Sequence, residues 1–135
     1  MDMEQIKKIV EKSQKSLTGD QWRSPELAAR RCADFLVEEG VNVAVKHGVA
    51  VFSLEFLAKE IEREKSKLSG VIGKIIRDKI KEGKYWHSVN HFWCDLGDIV
   101  VNILPEVDLG DVKFSGPKII HRKEEVNWRK VSYYS

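Results

Sequence analysis

The sequence predicts an α+β domain. Helical spacing of apolar residues recurs at 25–39, 54–62 and 66–82, whereas residues 41–52 and 84–96 are rich in β-branched and aromatic residues with partial alternation. The chain has 135 residues, 42% of them hydrophobic, which is enough for one core and too little for two. One domain with appended segments is therefore expected.

The first segment, residues 2–17, places Ile6, Ile9, Val10 and Leu17 on a narrow stripe among Lys7, Lys8, Glu11, Lys12 and Lys15. A short amphipathic helix follows from that spacing, and so thin a stripe needs a partner. Thr18, Gly19 and Asp20 break the pattern, and Ser24-Pro25-Glu26 opens a second helix with a hydroxyl cap, a proline in the first turn and an early acid. It buries Ala28, Cys32, Phe35 and Leu36 and stops at Gly40. Residues 41–52, VNVAVKHGVAVF, predict one or two short strands about Lys46-His47-Gly48.

Ser53 can cap a third helix whose Leu54, Leu57, Ala58 and Ile61 form one face. After polar residues 63–67, a fourth begins at Ser66 or Ser69 and runs to about Glu82, with Leu68, Ile72, Ile75, Ile76 and Ile80 inward and Gly83 ending it. Residues 84–96, KYWHSVNHFWCDL, hold two aromatic runs about Ser88-Val89-Asn90, the outline of a hairpin. The run IVVNIL from Ile99 fits helix or strand equally, and beyond Pro105 extended or loosely held chain is expected.

Charge is unevenly spread. Residues 65–84 carry seven Lys or Arg against Asp78 and Glu82, whereas residues 95–112 carry five acids and no base. The tail from residue 113 is basic again. A basic middle of this kind suits a polyanion better than a uniformly solvated surface would. High Lys, Glu, Ile and Val content is thermophile-like. No apolar run reaches bilayer length and MDMEQIKK lacks a secretory signal's apolar stretch, which predicts a cytoplasmic chain away from membranes. Cys32 and Cys94 read as free, buried thiols.

Helix, strand, helix, turn, helix and hairpin is the element order of a winged helix-turn-helix domain. Residues 54–96, above all SKLSGVIGKIIRDKIKEGKYW at 66–86 followed by HSVNHFW, resemble that DNA-binding superfamily. The resemblance implies a trihelical core with a β-hairpin wing over residues 21–104, an extra helix at 1–20 and an extended tail or arm at 105–135. It also implies that residues 67–82 enter the major groove and residues 84–96 form the wing.

The residues themselves support that assignment. At 100° per residue, Gly70, Lys74, Arg77 and Lys81 fall within roughly 60° of one another, opposite Ile72, Ile75 and Ile76. Ser69, Lys74 and Arg77 are candidates for base edges, Lys67 and Lys81 for phosphates, and Lys84 and Asn90 for contacts from the wing. Gly73 lets a phosphate approach the backbone, and Asp78 is expected to pair with Lys74 or Lys81. The expected function is sequence-specific binding of double-stranded DNA by a transcription regulator, as a homodimer through Ile6, Val10 and Leu17. The alternative is a winged-helix module that docks another protein.

Other constellations point elsewhere. His87, His91 and Cys94 spell H-x3-H-x2-C, to which Cys32 or His47 would add a fourth ligand. On a hairpin, however, His87 and His91 stand on opposite strands, so no metal or other cofactor is expected. The stretch HRKEEVNWRKVSYYS fits either a single-strand-binding segment or an arm packing Val126, Trp128 and Tyr133 onto a partner subunit. No catalytic set is present, and an enzyme is not expected.

Overall fold

The computed structural model describes residues 2–125, 127 and 129–135, apart from the side chain of Trp22. Helix α1 (Met3–Lys15) starts at Asp2, whose carboxylate accepts from the Gln5 N–H while the Gln5 side chain accepts from the Asp2 N–H. Helix α2 (Pro25–Glu38) is capped by Ser24, as its sequence predicts. Strand β1 (Ala44–Ser53) runs without a break into helix α3 (Leu54–Arg63), because the Ser53 hydroxyl accepts from the Phe56 N–H and caps the helix at once. Helix α4 (Ser69–Lys81) ends where Gly83 takes φ +96, a conformation that costs glycine little.

Strands β2 (Trp86–Asp95), β3 (Ile99–Ile103), β6 (Lys118–Arg122) and β7 (Val131–Tyr134) join β1 in an antiparallel sheet of order β6-β3-β2-β1-β7. Strands β4 (Val107–Asp108) and β5 (Lys113–Phe114) form a separate small hairpin. Helices α1 and α2 cover one face, where Ile6, Val10, Cys32 and Leu36 meet Cys94, Ile99, Val101 and Ile103. Helix α3 and Ile76 of α4 cover the other, against Ala50, Phe52, Leu104, Ile119 and Val131. The fold is α+β, and its sheet curls so that the side chains of His121 and Tyr133, on its two edge strands, meet at 2.9 Å.

Three expectations are corrected here. Residues 84–96 are not a hairpin: Trp86–Asp95 is one strand, paired with β1 in unbroken register from Ala44↔Asp95 to Ser53↔Trp86. The alternation explains this, since Val89, His91 and Trp93 turn to one face while Ser88 and Asn90 take outward positions. No residue of the stretch has the positive φ that a two-residue hairpin turn needs. Helices α3 and α4 thus connect two paired strands, an arrangement different from the wing that residues 84–96 were expected to form.

The second correction concerns α1. Its stripe is buried within the chain, with Ile6 and Val10 at 2% and 0% exposure and Leu17 packed against the same cluster. The surface expected to hold a second copy is therefore already covered. The third concerns residues 105–135, which supply β4 to β7 and bury Val107, Ile119 and Val131. Val126 and Trp128 lie outside the described residues, and Tyr133 points into this chain's own interior rather than serving an arm.

Strand β7 can approach only because residue 48 has no side chain. A Cβ there would stand 2.1 Å from the Tyr134 carbonyl oxygen and 2.7 Å from the Ser135 Cα. Both are backbone atoms, so they cannot yield as a flexible side chain would. Gly48→Ala is expected to lower stability by about 1–3 kcal/mol, the usual cost of overpacking, measured by urea denaturation.

Candidate nucleic-acid interface and a buried polar network

Helix α4 lies against α3 through Ile76, which is fully buried, with Ile72 and Ile80 beside it. Gly73 permits this closeness: a Cβ would sit 2.6 Å from the Glu62 Oε1 of α3. One turn on, Arg77 reaches the same carboxylate, with Nε 3.1 Å from Oε1 and Nη2 3.3 Å from Oε2. This two-point pairing raises the guanidinium pKa still further. Gly73 is thus covered by Glu62 rather than open to a phosphate.

Ser69 is buried as well. Its hydroxyl accepts from the Ser66 N–H at 2.8 Å, so it braces the turn into α4 instead of facing solvent. Lys79 pairs with Asp111 and Glu82, which fastens the loop between β4 and β5 to α4.

Lys67, Gly70, Lys74, Lys81 and Lys84 remain exposed. Lys67 stands in the turn before the helix, and Lys74 and Lys81, seven residues apart, project within about 20° of one another and about 10 Å apart along the axis. Among the described residues none of these lysines forms a salt bridge, whereas Lys59, Arg63, Arg77 and Lys79 nearby are all neutralised. Asp78 is exposed on the same side and pairs with neither Lys74 nor Lys81 within salt-bridge distance. Asn90 is exposed in mid-strand on β2, on the face that also carries Phe92 and Cys94, and does not sit at a wing tip. The structure therefore leaves the lysines of the expected set exposed on or beside α4, engages Ser69 and Arg77 with Ser66 and Glu62, and assigns Asn90 to the sheet. Leu68 and Val71, 61% and 59% exposed, accompany the lysines near the helix start.

A second constellation lies inside the curled sheet. Asn102 on β3 accepts from the His91 Nε2–H through Oδ1 at 3.1 Å, and its amide donates to the Tyr133 hydroxyl at 2.7 Å and to the Ile119 carbonyl at 3.3 Å. The Tyr133 hydroxyl in turn donates to His121 Nε2 at 2.9 Å. With Asn102 so oriented, His91 carries a proton on Nε2, and His121, accepting at Nε2, is the neutral ring protonated on Nδ1. Trp93 packs on Tyr133 with ring centroids 4.9 Å apart.

Burial lowers the pKa of both imidazoles, that of His91 to about 4 with the Asn102 hydrogen bond opposing in part. Burial raises the Tyr133 phenol, against the Asn102 contact. The network ties β2, β3, β6 and β7 together. Asn102 carried the only available sequence signal for it, a lone amide in an apolar run.

His87 shares the inward face with His91, and its Nε2 is buried with no hydrogen-bond partner among the described residues. Cys94 points the other way, toward α2, and donates to the Ala29 carbonyl. The sequence H-x3-H-x2-C is therefore divided between two faces of one strand and cannot close around a single ion.

No family model, curated protein or solved structure matches the chain. Among the described residues no helix is long and apolar enough to cross a membrane.

Proposed function

We propose that this protein binds double-stranded DNA through the exposed side of α4, with α3 and α4 as the two members of a helix-turn-helix. The observation that carries this reading is the set Lys67, Lys74, Lys81 and Lys84, exposed and without salt bridges among the described residues, beside Lys59, Arg63, Arg77 and Lys79, which are paired. Lys67 before the helix and Lys81 at its end are the candidates for phosphates on the walls of a major groove about 12 Å wide. Gly70 leaves room for backbone approach near the helix start, and Lys74 is the candidate for a base edge. Arg77 orients α4 through Glu62 rather than reading guanine. No wing is needed for these contacts. A transcription regulator remains the role that such groove binding would serve.

The test is a fluorescence anisotropy titration of duplex DNA, single-stranded DNA and RNA at two salt concentrations. Duplex is expected to bind best, with a log K against log salt slope of about −3, as three or four neutralised phosphates give. Equal binding to all three, or none at low salt, contradicts the proposal. The second reading, docking of an acidic protein surface, is favoured by Leu68 and Val71, whose exposed apolar side chains DNA phosphates would not use.

A further inference from the structure

Cys32 on α2 and Cys94 on β2 are 0% and 1% exposed and share one core cluster. The Cys94 sulfur lies 3.3 Å from the Ala29 carbonyl oxygen, and Ala29 and Cys32, one turn apart, occupy the same side of α2. Each thiol also shifts the ionisation of the other, Cys32 downward and Cys94 upward. Two thiols from different layers of the fold thus meet about one turn of α2, a juxtaposition from which a disulfide can close.

We propose that Cys32 and Cys94 are an oxidisable dithiol that closes to an intramolecular disulfide and staples α2 to the sheet. Cys32 is the attacking sulfur. The contact with Cys32 and burial both keep the Cys94 thiol protonated, and its S–H is given to the Ala29 carbonyl, so Cys32 is the sulfur free to ionise when α1 opens. The oxidant is a small-molecule disulfide. The Cys32 thiolate attacks one of its sulfurs and releases one thiolate, leaving a mixed disulfide on Cys32. Cys94, losing its proton to that thiolate, then attacks the Cys32 sulfur and expels the second small thiol. Two protein thiols are oxidised, one small disulfide is reduced to two thiols, and the protein loses two hydrogens. Ser13 of α1 is fully buried beside Cys32, so the reaction proceeds through opening of α1.

The full chain incubated with oxidised glutathione is expected to lose two hydrogens by intact mass, to remain monomeric by non-reducing electrophoresis and to show no reactive thiol after denaturation. Its melting temperature is expected to rise by about 10 °C, because the bond closes a loop of about 60 residues, and to fall back with reductant. The incubation is repeated in urea just below the unfolding transition, where α1 opens more often. The disulfide should then form faster. A lasting glutathione adduct, a disulfide between chains, or two free thiols under both conditions overturns the proposal.

Discussion

Asn102→Leu is expected to lower the unfolding free energy by about 3 kcal/mol, although leucine keeps the branched arrangement of asparagine's four side-chain heavy atoms and the site is fully buried. The loss comes from what the amide leaves behind. His91 Nε2–H loses its acceptor, and Tyr133 and the Ile119 carbonyl each lose a donor, in an interior where leucine offers no replacement. Each stranded group costs roughly 1–3 kcal/mol, and Tyr133 is partly compensated by its bond to His121. The urea midpoint measures the effect. A change below about 1 kcal/mol would show that the network is dispensable to the fold.

Stability is also expected to fall on mild acidification. Folding holds His91 at a pKa of about 4, well below the ordinary histidine value near 6.5. Between those two values the unfolded chain binds a proton that the folded chain refuses, so stability declines as pH falls from about 6.5 to 4 and this contribution levels off below. Over the whole window it amounts to about 3 kcal/mol. His121 and His87, also lowered by burial, add in the same direction. Denaturation midpoints at pH 7, 5.5 and 4 measure the slope, and His91→Gln, which keeps a donor toward Asn102, should flatten it. A slope unchanged in that variant would place the titrating group elsewhere.

The helices were legible because each carries its own evidence. Ser24-Pro25-Glu26 and Ser53 mark starts, Gly40 and Gly83 mark stops, and Leu54, Leu57, Ala58 and Ile61 repeat on one face. Strand pairing carries no such local record. Ser88-Val89-Asn90 has a turn's composition, and only the pairing of residues 86–95 with β1, across two intervening helices, shows it to be strand. Strands β4 to β7 are two to five residues long, too short for periodicity to register.

The same distinction divides the candidate site. Lys74 and Lys81 could be placed from helical spacing alone, since both are exposed on α4 and in no salt bridge among the described residues. Ser69, Gly73 and Arg77 could not, because Ser66 and Glu62 decide their fate from the turn and the neighbouring helix. His91, Asn102, His121 and Tyr133 come from four strands and meet only through the curl of the sheet.

The most direct test of the DNA-binding claim compares two variants with equal loss of charge. In one, Lys67, Lys74 and Lys81 become alanine; in the other, Lys8, Lys12 and Lys15 of α1, equally exposed and likewise without salt bridges among the described residues, become alanine. Both should retain the wild-type melting temperature within a few degrees, as surface substitutions usually do. Duplex affinity at fixed low salt, read by anisotropy, should fall by about 100-fold or more in the α4 variant, and the salt slope should flatten by about two units. The α1 variant should bind within about threefold of wild type, since only long-range attraction is lost. Equal losses in both variants, or none in the α4 variant, would contradict a DNA-binding face on α4.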